Sequence, residues 1–196
     1  MRREDVKELH YIAPIGNVAS ILKHGLLSHN RAKRVLHRSV AMPEIQEKRA
    51  RRVVPGAKPL HDYVNLYFHA RNPMLYKRQA EHQTLCVLRI SAAVLDWPGV
   101  VITDGNAASQ YTAFWPSPAG LEHLGREDVF AEWWTDDDPI EKWRKTRAKC
   151  AEVLVPNQIP AHHIVGAYVS CEAARAALSN IGFRLPIAID RHLFFQ

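Results

Sequence analysis

The uneven spacing of the strand-like segments is the feature that most restricts how this chain can fold. These segments are HYIAP, HDYVNLYF, QTLCVLRIS, VLDWPGVVITDG, AEVLVP and HHIVGAYVS, and LPIAIDRHLFF closes the predicted sheet. Helical patterns are grouped early and late in the chain instead of alternating regularly with the strands. This arrangement is typical of an α+β fold and not of a repeated βαβ unit. A Rossmann domain is further disfavoured because the chain has no G-x-G-x-x-G motif.

The predicted helices have recognisable ends. Asn17 is expected to cap a helix through VASILKHG, and Gly25 marks the end of that helix. A second helix is predicted through PEIQEKRARR and a third through CEAARAALSNIGF. The segment from Leu27 to about Pro59 is polar, basic and only weakly periodic. A connection of this length inside a compact domain is more often functional than structural.

Length and composition favour one globular domain. The chain has 196 residues, of which 47% are hydrophobic and 23% charged. This is enough for one well-buried core but short for two, so we predict a single domain over residues 1–196. No stretch approaches the ~20 apolar residues of a membrane span, and MRREDVKELH lacks the apolar core of a signal peptide. The predicted location is the cytoplasm, without membrane contact.

Charge is distributed unevenly along the chain. Between Arg31 and Lys58 there are nine Lys and Arg residues against two Glu, a local net charge of +7. From Glu122 to Asp138 there are seven acids and one Arg, a local net charge of −6. The basic segment suits a polyanion, because each neutralised phosphate releases counterions. A solvated charged face is the alternative that charge by itself leaves open.

One carboxylate has an unusual position. Glu152 follows the basic helical run KTRAKC and directly precedes the apolar residues VLVP. An acid beside apolar neighbours either costs stability or has a task. A salt bridge to Arg147 or Lys149 would account for Glu152 without any function, so the residues themselves leave both explanations open.

Missing motifs exclude several familiar kinds of site. There is no P-loop, no H-E-x-x-H and no G-x-S-x-G. The three cysteines form no C-x-x-C pair and the eleven histidines are scattered, so neither a disulfide framework nor a metal site is predicted. The Trp133-Trp134 pair, with Trp115 and Trp143, could stack on nucleic-acid bases. Large aromatic side chains also belong to protein cores, and the sequence does not decide between the two.

Four stretches change the interpretation when they are taken in order. They are LHYIAPIGNVASILKHGLLSHN, EIQEKRARRVVP, LHDYVNLYFHARNPMLY and RAKCAEVLVP, with DGNAASQYTAFW ahead of the last. In order and spacing they resemble the DarT family of DNA ADP-ribosyltransferase toxins over nearly the whole chain. The resemblance implies an ADP-ribosyltransferase fold, with two small, roughly perpendicular β-sheets, NAD in the cleft between them and helices outside. It also implies transfer of ADP-ribose from NAD to a base of single-stranded DNA, and a macrodomain antitoxin of the DarG type as partner.

The resemblance assigns roles to individual residues. Glu152 matches the catalytic Glu, and Arg49 matches the essential Arg of the family's NAD-binding element. NAD is expected as co-substrate, without a metal. The positions that match the family's NAD-binding residues are His10, Tyr11, Ile12, Ser20 and Leu27, together with Arg49.

Two departures from the family pattern fall near these positions. Lys48-Arg49 stands where the family commonly has two arginines, and the planar, bidentate guanidinium favours Arg49 as the essential one. RNPMLY stands where many members have RSPMLY.

We expect Glu152 to stabilise the oxocarbenium-like sugar that forms as nicotinamide leaves. Arg49 is expected to hold the NAD phosphates and to polarise the acceptor base.

DNA recognition is predicted from two segments. The basic segment, with Lys48 and Arg51, would follow the DNA backbone. The loop ahead of the catalytic Glu offers donors, acceptors and a stacking ring to an unstacked base, in Asn106, Ser109, Gln110 and Tyr111. The acidic run at residues 135–138 would repel phosphates and is expected to flank the DNA path. The identity of the modified base does not follow from these residues.

Two other functions remain open. An NAD-consuming enzyme of the same fold could act on RNA, as an RNA ADP-ribosyltransferase or a 2′-phosphotransferase, although the Arg and His motifs of such enzymes are not evident. A catalytically silent nucleic-acid-binding domain would need none of His10, Arg49 and Glu152. Their joint presence weighs against a silent domain.

Overall fold

The computed structural model describes residues 1–39 and 41–196. Strands and helices follow one another irregularly in these residues, which confirms the predicted α+β class. The strands are β1 (Glu8–Pro14), β2 (Leu26–Leu27), β3 (Tyr63–Tyr67), β4 (Leu85–Ser91), β5 (Val101–Thr103), β6 (Phe114–Pro116), β7 (Glu152–Pro156), β8 (Gln158–Ile159), β9 (Ile164–Val169) and β10 (Ile187–Ile189). The α-helices are α1 (Val18–His24), α2 (His29–Ala32), α3 (Pro43–Ala50), α4 (Pro73–Lys77), α5 (Arg126–Val129), α6 (Pro139–Lys149) and α7 (Glu172–Asn180).

Most strands belong to one mixed sheet. Within the described chain its order is β10-β9-β4-β1-β3-β7-β5-β6, and β2 pairs separately with β8. Neighbouring strands of the large sheet are antiparallel except for β9 and β10, which are parallel. The segment LPIAIDRHLFF provides β10 at one edge of this sheet, which confirms that it closes the sheet.

The junction between β1 and β3 divides the large sheet into two halves. β1 pairs with β4 along its whole length from Glu8 to Pro14. Its pairing with β3, among the described residues, is limited to His10 opposite Tyr67. The halves β10-β9-β4-β1 and β3-β7-β5-β6 therefore meet at a narrow joint. They correspond to the two predicted small sheets, which here are parts of one hydrogen-bonded sheet.

The main hydrophobic core covers one face of the sheet. Side chains alternate along a strand, so Val64 and Leu66 of β3 point to the same face as Val153 and Val155 of the antiparallel neighbour β7. All four are buried in a cluster that includes residues of α1 and α7. Burial of each such side chain contributes about 1.5–3 kcal/mol. The opposite face carries Tyr67, Glu152 and other polar side chains, and a site can form there.

Helix α1 begins where the sequence predicts, but the predicted cap is wrong. Asn17 precedes α1 and makes no capping hydrogen bond with its side chain. The Asn17 amide instead donates to the Arg38 carbonyl at 2.7 Å and accepts the Arg38 backbone N–H at 2.9 Å. These contacts satisfy two backbone groups that have no partner in a helix or strand. Asn17 therefore anchors the basic segment to the start of α1.

Gly25 ends α1, as predicted, and turns the chain back toward the sheet. Its φ of 78° lies in the left-handed region that favours glycine. A β-carbon at Gly25 would collide with the backbone carbonyl of Ile159. This close approach allows β2 to pair with β8 and leads the chain into α2 and α3.

Each of the seven strand-like segments contains a strand, and the two later predicted helices appear as α3 and α7. Strands β2, β6 and β8 were not predicted, because segments of two or three residues are too short to show a period of two. None of the described helices is long and apolar enough to cross a membrane.

Candidate active site

Three polar residues are aligned across the joint between the two half-sheets. His10 on β1 lies opposite Tyr67 on β3, and Tyr67 lies opposite Glu152 on β7. Residues that are directly paired on neighbouring strands point to the same face of a sheet. The row of His10, Tyr67 and Glu152 therefore lies on the face that the main core leaves free.

Arg49 reaches Glu152 from α3. Its Nη1 donates to the two carboxylate oxygens of Glu152, at 3.1 and 3.3 Å. Both side chains are almost completely buried, with 7% and 1% of their surfaces exposed. Removing one partner of such a buried pair leaves an uncompensated charge, which typically costs about 3–5 kcal/mol. The ion pair is therefore a strong constraint on where α3 lies.

Helix α3 is short and polar, and its buried side chain belongs to the ion pair. Pro43 is placed at the first helical turn, where the missing N–H has no helical partner to lose. Among the residues of α3, Arg49 is the buried one. A helix without an apolar stripe gains little from the hydrophobic effect. The contact between Arg49 and Glu152 therefore positions α3 over the sheet.

The surroundings of Glu152 raise its pKa. Burial disfavours the ionised carboxylate, and this effect exceeds the opposing effects of Arg49 and of the Ala107 backbone N–H. Burial, and then the charge of Glu152, also raise the pKa of Tyr67. Tyr67 therefore remains a neutral hydroxyl beside the acid. Shifted pKa values of this kind are common at functional sites.

The loop after β5 supports the backbone of Glu152. The Glu152 N–H donates to the Thr103 hydroxyl at 3.1 Å, and that hydroxyl donates to the Gly105 carbonyl at 2.7 Å. The same loop carries Ala107, whose backbone N–H favours the ionised form of the Glu152 carboxylate and so lowers its pKa. Glu152 and this loop therefore form one hydrogen-bonded unit.

The ion pair forms part of the wall of a cleft of about 420 Å³. Clefts of this size commonly bind small molecules and cofactors. Strands β1 and β3 contribute to one side, and the segment with α2 and α3 contributes to another. The sequence-predicted residues that line the cleft are Tyr11, Ile12, Leu27, Arg49, Asn106 and Glu152.

His10 is not among the described residues that line the cleft. Its Nδ1 lies 3.1 Å from the Phe68 carbonyl oxygen, and its Nε2 lies 3.2 Å from a carboxylate oxygen of Glu8. Glu8 also accepts hydrogen bonds from Arg89 and from the Tyr168 hydroxyl, at 2.7 and 2.9 Å. Burial opposes ionisation of Glu8, but its hydrogen bonds lower its pKa to about 2. A buried polar network therefore fixes the ring of His10 on the strand next to Tyr67, which lines the cleft.

Six other predicted residues are not among the described residues that line the cleft, and three of them belong to the predicted recognition loop. Ser20 is half-buried on α1, and Lys48 and Arg51 are exposed on α3 and just after it. Neighbouring helical residues point about 100° apart. Arg49 therefore faces Glu152 while Lys48 faces solvent, which favours Arg49 as the functional member of the basic pair.

The predicted recognition loop is fastened to α6. The Nη2 atom of Arg147 lies 2.6 Å from the Asp104 carboxylate and 2.6 Å from the Tyr111 carbonyl oxygen. Gly105 permits this approach, since a β-carbon there would lie 2.8 Å from the Arg147 side chain. Within the loop Ser109 is half-buried, whereas Gln110 and Tyr111 are exposed. The loop is thus held at its base and presents its tip to solvent.

The two salt bridges that would give Glu152 a purely structural role are not formed. Arg147 pairs with Asp104 instead. The Lys149 ammonium lies 2.6 Å from His69 Nδ1 and donates to the Ala131 carbonyl at 2.6 Å. Glu152 is paired with Arg49, which comes from a distant part of the chain.

Two histidines in the cleft wall had no signal in the sequence. The rings of His29 and His61 stack with their centroids 4.0 Å apart. Burial lowers the pKa of both, and that of His61 falls to about 4. His61 Nε2 and Gln46 Oε1 are buried and have no hydrogen-bond partner among the described residues. Buried polar atoms without a partner are uncommon in folded proteins. Tyr67, whose position opposite Glu152 depends on strand register, was also missed.

No cluster of three or more His, Cys, Asp or Glu residues in the described chain could hold a metal ion. The mixed sheet, split at a narrow joint with a cleft beside it, places the chain in the class of α+β ADP-ribosyltransferase folds, in agreement with the solved structures that it matches. Residues 10–195 match the model of the family described as ssDNA thymidine ADP-ribosyltransferase, DarT. The chain belongs to the DarT family.

Relatives and solved structures agree with this family. The DNA ADP-ribosyl transferase–DNA ADP-ribosyl glycohydrolase fusion protein of Thermosipho africanus is 30% identical over 200 residues, which cover 96% of this chain and 50% of that protein. The chain therefore spans about half the length of that relative. A DNA ADP-ribosyl transferase of Thermus sp. (strain 2.9) is 32% identical over 164 residues, 78% of this chain and 76% of that protein.

The fold similarity extends over almost all of the chain. Thermosipho africanus DarTG in complex with ADP-ribose matches with a TM-score of 0.82 at 30% identity, over 96% of this chain and 51% of that one. Thermus sp. 2.9 DarT in complex with ADP-ribosylated ssDNA matches with a TM-score of 0.81 at 28% identity, over 96% of both chains.

Proposed function

We propose that this chain transfers ADP-ribose from NAD to a thymidine base of single-stranded DNA. The description of its family names this activity. DarT of Thermus sp. 2.9 has been solved with ADP-ribosylated ssDNA and, separately, with NAD+. The observation in this chain that carries the proposal is the buried pair of Arg49 and Glu152 in the wall of the cleft.

Glu152 is the residue that acts on the sugar. The reaction breaks the bond between nicotinamide and C1′ of its ribose and joins C1′ to the ring nitrogen of the base that carries a hydrogen. That nitrogen gives up its proton, and nicotinamide leaves as a neutral molecule. Positive charge develops on the sugar meanwhile, and an ionised carboxylate in a buried site stabilises it.

Arg49 prepares Glu152 for this step. Its Nη1 donates to the carboxylate, which orients the acid and favours its ionised form. A guanidinium has five N–H donors, so the others remain for oxygen atoms of the ligands. We propose that these donors hold the NAD phosphates and polarise the acceptor base.

The cleft contains groups that suit NAD. We propose that Tyr11, Ile12 and Leu27 contact the dinucleotide directly, because they line the cleft. The unpartnered Nε2 of His61 is buried in the same wall and would gain a hydrogen-bond partner. His10 and Ser20 remain part of the proposed NAD site as supporting residues. His10 acts through its position in the strand next to Tyr67, and Ser20 through α1.

The acceptor base would approach between the cleft and the loop after β5. Asn106 lines the cleft and offers an amide to a base edge. We propose that Ser109, Gln110 and Tyr111 contact neighbouring bases, with the exposed ring of Tyr111 available for stacking. The exposed side chains of Lys48 and Arg51 are proposed to contact backbone phosphates.

Labelled NAD and matched oligonucleotides test this function. Extruding a base from a duplex costs a few kcal/mol, whereas a single strand presents it freely. We expect labelling of a thymidine-containing single strand, much less labelling of the same strand in a duplex, and none when thymidine is replaced. Binding of the single strand should weaken as salt concentration rises. Labelling of RNA alone would favour the RNA-directed alternative, and binding without any transfer would favour the silent domain.

We also propose a macrodomain antitoxin of the DarG type as partner. The Thermosipho africanus relative is a fusion of a DNA ADP-ribosyl transferase and a DNA ADP-ribosyl glycohydrolase. Expression of this chain should be toxic, and co-expression of such a glycohydrolase should restore growth.

We propose that this chain acts in the cytoplasm, where NAD and DNA are both present. We keep the proposal that residues 1–196 form one domain, because the family match covers residues 10–195.

A further inference from the structure

A second cavity lies beside α4. Its volume is about 330 Å³, and its walls include Arg71, Tyr76, Trp133, His192 and Phe195. Helix α4 contributes to both cavities, since Pro73, Met74 and Lys77 line the cleft and Tyr76 lines the second cavity. An α-helix with its side chains is about 10–12 Å across. The two cavities are therefore close enough for one extended ligand to occupy both.

The second cavity contains a buried cation with unused hydrogen-bonding capacity. Only 4% of Arg71 is exposed. Its Nη1 donates to the His192 carbonyl, while its Nε is buried and has no partner among the described residues. The charges of Glu132 and Asp190 act on Arg71, but neither acid forms an ion pair with it in the described part of the chain. The N–H group at Nε can donate a hydrogen bond to an oxygen atom of a ligand, which would satisfy the buried donor.

Aromatic rings surround this cation. The Cζ atom of Arg71 lies 4.8 Å from the ring centroid of Trp133 and 4.1 Å from that of Phe195. Tyr76 meets Phe195 edge-on, with 5.1 Å between centroids. Trp133 is 59% exposed and Tyr76 is 48% exposed, so much of their surface is open to a ligand.

The backbone at this cavity is strained. Phe195 has a φ of 63°, which is unusual for a bulky residue. Strained backbone is retained where the surroundings hold it, and it is concentrated at ligand sites. Here it holds the Phe195 ring against Arg71 and Tyr76.

We propose that this cavity binds the nucleotide next to the acceptor nucleotide on one side of it in single-stranded DNA. The base of that nucleotide stacks on Trp133, and a phosphate or base oxygen accepts a hydrogen bond from Arg71. Aromatic rings beside an arginine are the combination that binds unpaired bases. The inference rests on the proposed function, because it requires the acceptor nucleotide to lie in the main cleft. It also gives a role to one of the tryptophans that the transfer reaction does not use.

Binding measurements in a Glu152→Gln background test the site without consuming the substrates. The probes are fluorescent single strands with one thymidine, extended by zero to three nucleotides on the 5′ or the 3′ side. Trp133→Ala should weaken binding about tenfold for strands extended on one side only, which is within the usual range for loss of one stacked base. Trp133→Phe should retain most of the affinity, because a ring remains. An abasic nucleotide at the stacked position should remove the difference between Trp133→Ala and its parent.

Matched variants separate this site from a loss of structure. Trp97→Ala removes an indole that packs against the main core, and it should leave DNA binding unchanged. Arg71→Met keeps the apolar contacts of the side chain and should weaken binding even of the strand with the abasic nucleotide, if Arg71 holds its phosphate. Affinity for NAD should be the same in all variants.

Two results would overturn the inference and are distinct from failure of the proposed function. One is equal affinity of Trp133→Ala and its parent for every extended strand while the parent binds single-stranded DNA. The other is a Trp133→Ala variant that binds all strands normally but binds a DarG-type antitoxin more weakly, which would assign the cavity to a protein partner. If the Glu152→Gln parent bound no single-stranded DNA at all, the proposed function itself would fail.

Discussion

The contact between Arg49 and Glu152 has two opposing effects on this protein. Burial of the pair has a large desolvation cost, which the attraction between the charges offsets only partly. The same burial strengthens the electrostatic effect of the carboxylate on a developing cation. In the proposed reaction Glu152 therefore acts strongly on the sugar, whereas the intact pair adds little net stability. Substitutions of the two residues separate these effects.

Glu152→Gln should reduce transfer by at least about 10²–10³-fold and leave the fold intact. The amide oxygen of Gln can still accept a hydrogen bond from Arg49, so the buried guanidinium keeps a partner. Glu152→Ala should be equally inactive but less stable than Glu152→Gln. Initial rates with labelled NAD and thermal unfolding followed by circular dichroism measure the two effects. A Gln variant that transfers ADP-ribose at nearly the wild-type rate would refute the role of the acid.

Arg49→Ala should lose activity by orders of magnitude, whereas Lys48→Ala should lose less than about tenfold. The reason is geometric, since Arg49 contacts Glu152 and Lys48 is exposed. Lys48→Ala is therefore the matched control on the same helix. Arg49→Lys should recover little, because one ammonium cannot both contact Glu152 and supply the other N–H donors that are proposed to hold the ligands. The opposite ranking of the two alanine variants would identify Lys48 as the functional residue.

The pH profile of transfer should fall on its acidic side at a pKa above 4.5, the ordinary value for Glu. Burial raises the pKa of Glu152, and in the proposed reaction the ionised form is the one that stabilises the sugar. The effect on the free energy of unfolding has the opposite pH dependence to the effect on activity. A raised pKa means that the stability Glu152 contributes is present below 4.5 and is lost as pH rises through the folded pKa. Plots of kcat/KM against pH give the acidic limb, and a limb at or below 4.5 would contradict the assignment.

The loop between β5 and β6 illustrates how an element is positioned by one side chain from another element. Arg147 of α6 contacts Asp104 and the Tyr111 carbonyl, so both ends of the proposed recognition segment are tied to one guanidinium. The loop in turn supports Glu152 through Thr103 and Ala107. Removal of the Arg147 contacts should therefore disturb the proposed DNA recognition and catalysis together.

Arg147→Ala should lower kcat by about tenfold or more and reduce discrimination between thymidine-containing sequences, with little change in NAD affinity. Misplacement of a catalytic group by about 1 Å can lower the rate by this much or more. Arg144→Ala is the control on the same helix, because Arg144 pairs with Glu141 and Asp128 at the surface. Asp104→Asn should have a smaller effect of the same kind. Equal behaviour of the Arg147 and Arg144 variants would exclude the positioning role.

Across the whole molecule, buried polar contacts connect segments that the apolar core does not hold. Lys149 joins α6 to His69 and to the carbonyl of Ala131. Burial, and then the charge of Lys149, lower the pKa of His69 to about 3. Burial likewise lowers the pKa of Lys149 to about 8. The contact is therefore stable near neutral pH, with His69 neutral and able to accept from Lys149.

His69 should make the fold sensitive to acid. Because its folded pKa of about 3 lies below its ordinary value of 6.5, the stability it contributes is present above 6.5 and is lost as pH falls toward 3. By pH 5 the loss should be roughly 1–2 kcal/mol. His69→Gln keeps an acceptor for Lys149 and should reduce the dependence of the free energy of unfolding on pH in this range. Urea unfolding of the wild type and of His69→Gln from pH 7 to pH 4 measures this dependence. If the free energy of unfolding changed with pH equally in both proteins, the role of His69 would be refuted.

The local elements of this protein were largely predictable. Alternation of side chains located β3, and Gly25 marked the end of α1, because both signals depend on residues close in sequence. The cap at Asn17 was wrong because Arg38, a tertiary partner, competes for the same side chain. Strands β2 and β8 were missed because they form only when they meet each other.

The same limit applies to the site. The resemblance to the DarT family assigned the chemistry to Arg49 and Glu152, because the residues by themselves left a structural explanation of Glu152 open. Their contact joins residues 103 positions apart, and the alignment of Tyr67 with His10 and Glu152 depends on strand register. The burial of His10 in a polar network and the position of Arg71 among aromatic rings depend on packing between remote segments. Chemical capacity belongs to single side chains and can be inferred from their identity, whereas distance, burial and register arise only when remote segments pack together.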